Sequence, residues 1–121
     1  EKKHVKLINL NLDLIKFMNS ELKISTETFL SSELNISETK TKKLVTICSK
    51  LNATSYISGI SGHDYLEEDL FTESKIKLIY ENFIHPEYVQ IHGNFIENMS
   101  IIDLLFNMGE KSTQIICDSK N

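Results

Sequence analysis

TSYISGISGHDYLEEDLFTESKIKLIY, Thr54 to Tyr80, decides the fold. Thr54 to Ser58 reads as a short buried strand that stops at Gly59, Glu67 to Ser74 as a short helix, and Ile76 to Tyr80 as a second strand. Strands that alternate with helices pair in parallel through crossover connections. That places the chain in the α/β class, as a layered sheet of mainly parallel short strands with flanking helices. In such sheets ligands collect outside the carboxyl ends of the strands, where strand gives way to helix. The loop from Ser58 to Tyr65 stands at that position.

Only four glycines occur in the chain, and two of them, Gly59 and Gly62, fall in this loop. They offer positive φ and a backbone able to turn its N–H groups toward an anion, and Ser58 and Ser61 add hydroxyl donors. The spacing is GxxG, neither GxGxxG nor GxxxxGK[ST], so on pattern alone a turn that closes a strand is the plainer reading. Asp64 either caps the next turn or meets a substrate, as a ligand to a polar group or as a general base. His63 reads as an exposed bystander.

Working outward, Ile8, Leu12 and Ile15 recur at helical spacing and predict an amphipathic helix over 5–22. Ile24 to Leu30 is β-rich and reads as another strand. Ser37 is the expected N-cap of a helix reaching Leu51, whose apolar stripe is Leu44, Ile47, Cys48 and Leu51. Beyond the second strand, IHPEYVQIHGNF (Ile84 to Phe95) holds the single proline and is expected to be extended or looped. Ser100 should cap the helix IIDLLFNM, which ends at Gly109, and GEKSTQIIC supplies a last helical piece.

If the proline segment is extended, Tyr88, Gln90 and His92 share one face while His85 and Glu87 take the other. His85 is the candidate acid or base there, against a structural histidine as the alternative. His85, Glu87 and His92 match no common ligand spacing, so no metal site is expected. Asp103 and Asn107 lie four apart on one helical face. A carboxylate in so apolar a helix needs a partner, a surface position or a ligand.

At 121 residues, with 40% hydrophobic side chains, the chain suffices for one α/β domain spanning 1–121 with a modest core. A net charge of -4, without a sustained basic block, argues against a duplex nucleic-acid binder. Lys40, Lys42 and Lys43 read as a solvated helix face. Cys48 and Cys117 lie outside any paired motif and read as small core residues. No run reaches the length of a membrane span and no signal peptide is visible, so a cytoplasmic location is expected. The opening EKKHVKLINLNLDL, without methionine and straight into helical periodicity, reads as a piece of a longer protein.

The run from Lys42 to Gly109 also carries three ordered blocks. They are Tyr56 to Gly59 with Gly62, Tyr65 and Leu66; then His85, Pro86, Tyr88, Gln90, Gly93 and Phe95; then Ser100 to Asn107 with Gly109. These resemble the patterns YLSGxxGxxYL, HPxYxQxxGxF and SIIDLLFNxG of the C-terminal half of WbqC-like proteins. Asn52-Ala53 stands where that family commonly has Gly-Ala, and Asn tolerates the left-handed cap. The family's N-terminal block resembling QPxYxPWxGY and its NR motif do not occur in this chain.

The resemblance implies bacterial surface-polysaccharide or O-antigen biosynthesis, and the first hypothesis it suggests is a sugar-pathway enzyme with a sugar or nucleotide-linked small molecule as substrate and an activated sugar or acyl group as the centre of reaction. This hypothesis places Asp64, His85 and Asp103 in a catalytic set, and Ser58, Gly59, Ser61, Gly62, Tyr65, Tyr88, Gln90 and Asn107 in binding roles. A strand running into an SGxSG turn is similar to parts of nucleotidyl-transfer and acid–amine ligase folds of the HUP type, an analogy that points to a transferase or ligase. The alternative is a non-catalytic module that binds a glycan precursor or a partner enzyme of the same pathway.

Overall fold

The computed structural model describes residues 3–119. The chain forms two compact units: an inserted unit, Thr28–Phe83, and a split unit that runs to Glu27 and resumes at Ile84.

The inserted unit holds α2 (Lys40–Lys50), β1 (Ser55–Gly59), a 3-10 turn (Ile60–Asp64), α3 (Glu68–Glu73) and β2 (Lys77–Glu81). The strands pair in parallel with Ser55 opposite Lys77 and Gly59 opposite Glu81, so the predicted β-α-β unit is present. Its sheet has two strands. The apolar stripe of α2 packs inward, and Cys48, Leu66, Phe71 and Ile76 form a core flanked by Leu44, Val45, Tyr56, Leu78 and Tyr80. Burial pushes the Cys48 thiol above its usual range, which keeps it protonated and inert. Cys117, expected in a core, is exposed.

The split unit holds α1 (Leu7–Glu21), α4 (Ile101–Met108), a 3-10 turn (Gly109–Lys111) and α5 (Ser112–Asp118). Ser100 caps α4 as the sequence predicts, its Oγ accepting from the Ile102 N–H at 3.3 Å. Gly109 ends the helix at φ 53°, a conformation glycine adopts without cost. Thr113 Oγ1 donates to the Leu22 carbonyl at 3.0 Å and so ties α5 to the end of α1.

Ile24 to Leu30 forms no strand. The Ile24 N–H is instead used by the preceding helix, bonding the Asn19 carbonyl at 2.8 Å while Lys23 N–H bonds Ser20 at 3.1 Å. This 6→1 and 5→2 pair is a Schellman ending. The same pair closes α2, through Ala53 to Cys48 and Asn52 to Ser49, and α3, through Ile76 to Phe71 and Lys75 to Thr72. The left-handed residue is Lys23 (φ 56°), Asn52 (φ 53°) or Lys75 (φ 58°), never glycine. Asn52 therefore does the work of the family's glycine, as expected.

A side chain in that conformation costs about 1–2 kcal/mol, which glycine avoids at the expense of some unfolded-state entropy. Lys75→Gly is therefore expected to raise the stability of the inserted unit by about 0.5–1 kcal/mol. The urea midpoint measures this, and an unchanged or lower midpoint would contradict it.

Candidate functional site

The loop after β1 is a single 3-10 turn in which Ser58 and Gly62 are buried while Gly59, Ser61, Asp64 and Tyr65 are exposed. Ser58 Oγ donates to the Gly59 carbonyl at 3.1 Å. Neither loop glycine takes positive φ, which among the described glycines belongs to Gly93 and Gly109. Gly62 is there for space. A Cβ on it would lie 2.2 Å from Ser58 Oγ and 3.0 Å from both Leu66 Cδ1 and Tyr80 Cε1. Its carbonyl accepts from the N–H groups of Tyr65 and Leu66, which folds the turn back onto the core.

Beside this turn lies a groove of about 550 Å³ lined by Lys40, Thr41, Leu44, Tyr56, Tyr65 and Leu66. Thr41, 2% exposed, accepts from the Glu67 N–H at 3.2 Å and fixes the start of α2 against α3. Lys40 has a left-handed backbone, φ 51°, at the first residue of that helix. The expectation of a purely solvated lysine face thus holds for Lys42, whereas Lys40 lines the groove.

The bystander histidine is not isolated. His63 stacks on Tyr80 with ring centroids 3.5 Å apart, and its Nδ1 is 3.6 Å from Glu68 Oε1. Tyr80 Oη donates to the same oxygen at 2.7 Å. Burial, then the Glu68 bond and the nearby negative charge, pushes the Tyr80 phenol from 10.0 up to about 12. A folded-state value above the unfolded one contributes stability that is complete below pH 10 and is lost as pH rises toward 12. A phenolate absorbance titration is expected to show an ionisation phase near pH 12 that Tyr80→Phe removes; its survival in that variant would refute the assignment.

In the split unit, the proline segment, which lies outside any helix or strand, brings Tyr88 and Gln90 to one carboxylate. Asp103 Oδ2 accepts from Tyr88 Oη at 2.7 Å and from Gln90 Nε2 at 3.0 Å. Gln90 also clasps Ile96, accepting from its N–H at 2.8 Å and donating to its carbonyl at 3.0 Å. Asn107 accepts from the Ile91 N–H at 3.1 Å and donates to the Asp103 carbonyl at 2.8 Å. The partner that Asp103 required is therefore the Tyr88–Gln90 pair.

His85 packs with Phe95, centroids 5.8 Å apart, and Tyr88 meets Phe95 edge-on at 5.2 Å. The His85 Nδ1 lies 3.0 Å from the Pro86 carbonyl. Burial, followed by the Asp103 bond, raises the Tyr88 phenol above its usual range. A shallow groove of about 330 Å³ touches Gln90, His92, Asp103 and Asn107. Among the described residues no group of three or more His, Cys, Asp or Glu side chains is placed to hold a metal ion, and no helix is long and apolar enough to cross a membrane.

Of the expected residues, the inserted unit thus gathers Ser58, Gly59, Ser61, Gly62, Asp64 and Tyr65 on one turn, and the split unit gathers His85, Tyr88, Gln90, Asp103 and Asn107 in one network. Lys40, Thr41, Glu68 and Tyr80 were not singled out from sequence as site residues. Their signal is tertiary, because α2, α3 and β2 supply them from three separate parts of the chain.

A parallel β-α-β unit running into a tight glycine turn, with a polar clasp on a separate helix, defines an α/β protein. The chain belongs to the WbqC-like protein family, whose sequence profile matches residues 1–115, well beyond the three blocks read from sequence. It is 34% identical over 113 residues to the uncharacterised protein Rv1507c of Mycobacterium tuberculosis, across 93% of this chain and 49% of that protein. The chain therefore spans about half the length of the curated relative it matches. No solved structure matches it.

Proposed function

We propose that this chain is part of a cytoplasmic enzyme of bacterial surface-polysaccharide or O-antigen biosynthesis, a transferase or acid–amine ligase acting on an activated, nucleotide-linked sugar or its acyl donor. Both units work as one domain of a longer protein in this reading. The observation that carries it is the groove beside the glycine turn. Its volume falls in the range of small-molecule sites. Lys40 offers a point charge to a phosphate, and the tyrosine rings offer flat apolar faces with hydroxyl ends to a sugar or base. Asp64 and Ser61 hold polar groups of the ligand from the exposed side of the turn, where the exposed backbone at Gly59 meets its anionic part while Gly62 keeps the turn closed. His85 supplies acid–base capacity on the split unit, and Asp103 and Asn107 act by fixing Tyr88, Gln90 and the chain around them.

A thermal-shift screen of nucleotide-sugars, free nucleotides and acyl carriers on the full-length protein tests this. A ligand at a hundredfold excess over its Kd adds about 2.7 kcal/mol of stability, an easily measured shift. Lys40→Ala is expected to weaken the responding ligand by about 10–100-fold, the loss of one charge-assisted hydrogen bond. No shift with any nucleotide-linked compound would remove the activated-sugar reading. A non-catalytic partner-binding module would then be favoured, for which the relevant observation is α4, where Phe106 is 84% and Ile102 42% exposed.

A further inference from the structure

Three elements of the inserted unit converge on one carboxylate oxygen. The turn brings His63, α3 brings Glu68 and β2 brings Tyr80. Core filling does not explain the arrangement, because the His63 and Glu68 side chains are 52% and 59% exposed. Nor does a plain turn need it, since the backbone bonds to Gly62 already close the loop. What the arrangement does is orient an imidazole.

One face of the ring rests on Tyr80, and its Nδ1 edge is turned to Glu68. A carboxylate at Nδ1 favours the tautomer that carries its proton there, which leaves the Nε2 lone pair for other work. Tyr80 holds the carboxylate in turn, donating to the oxygen that faces His63. The 3.6 Å separation is ion-pair reach, longer than a hydrogen bond, and contacts of this kind tighten when a ligand closes a site. Two residues further on, Tyr65 lines the groove.

We propose that His63 is the proton-transfer residue of the inserted unit, with Glu68 and Tyr80 as its positioning residues. Its substrate rests on the activated-sugar reading above. As a hydroxyl or amine of the acceptor attacks the activated carbon of the donor, Nε2 takes the proton. The electron pair of the broken O–H or N–H bond stays on the attacking atom. The bond from the donor carbon to its phosphate-linked leaving group breaks, and the leaving group departs with its own electron pair. The imidazolium formed faces the Glu68 carboxylate and returns its proton to the departing group or to water.

The orientation is tested without any substrate, by long-range nitrogen–proton NMR of the imidazoles at a pH where they are neutral. In the native protein His63 is expected in the Nδ1–H form, the minor tautomer of free histidine. Glu68→Ala should return it to the Nε2–H form, and Glu68→Gln, whose amide oxygen still accepts, should keep it Nδ1–H. An Nε2–H tautomer in the native protein, or a tautomer indifferent to Glu68→Ala in a variant with native amide shifts, overturns the proposal. With a nucleotide-sugar that gives a thermal shift, the His63 Nε2 resonance should move; movement confined to His85 or His92 also overturns it. A failed nucleotide-sugar screen, by contrast, leaves the tautomer result standing and removes only the assigned substrate.

Discussion

Phe71→Ala is expected to cost about 3–5 kcal/mol and to unfold the inserted unit. Phe71 is 1% exposed, stacks on Tyr56 at 5.2 Å and 29°, and touches the buried cluster of Cys48, Leu66 and Ile76. Removing its ring leaves a cavity bounded by α2, β1 and the end of α3, elements held by their own hydrogen bonds and poorly able to collapse inward. A unit of roughly 60 residues is marginal to begin with, because it buries a smaller share of its unfolded surface than a larger domain does. Typical stabilities of ~0.05–0.15 kcal/mol per residue give it about 3–9 kcal/mol in total. Amide exchange on β1 and β2 measures the outcome: protection there should collapse in Phe71→Ala. Retained protection would mean that the core is supported from elsewhere.

Asp103→Ala should have the second largest effect, a loss of about 2–3 kcal/mol in the split unit. The substitution removes one acceptor from two donors, and Tyr88, which is 8% exposed, keeps a hydroxyl with little access to water. Gln90 would still hold Ile96, so the segment should loosen first around Tyr88 and Phe95. Asp103→Asn retains an acceptor and should cost about half as much or less, by the same accounting. Coupling of Asp103→Ala with Tyr88→Phe by a double-mutant cycle isolates the shared bond. If Asp103→Ala leaves the urea midpoint in place, the clasp is not structural, and the carboxylate is better assigned to direct ligand contact.

The sequence reading succeeded mostly where the deciding interaction is local, although α2 starts after Thr39 and not at the expected Ser37 cap. The stripe on α2, the Ser100 cap with its Gly109 stop, and the alternation that carries Tyr88 and Gln90 to one side all depend on near neighbours. The third strand failed because strand-forming residues need an edge to join, and Ile24 is instead used in ending α1. Glycine chemistry was half legible. A glycine pair after a strand marks a tight turn, but whether it serves φ or space depends on Ser58, Leu66 and Tyr80 closing around Gly62. His63 was passed over because nothing beside it in sequence announces Glu68 and Tyr80, which only the crossover brings to it.

The division into an inserted and a split unit has a consequence in time. Everything the inserted unit needs, from α2 to β2, leaves the ribosome as one continuous piece. The α1 helix, made earlier, must wait for α4 and for the Thr113 bond that closes its end. At ordinary synthesis speeds of about 5–20 residues per second, the roughly 80 residues between α1 and α4 take ~4–16 s. During that interval Leu22, 7% exposed in the folded chain, lacks the α5 side chain that bonds its carbonyl, and nascent-chain chaperones have those seconds to act on α1.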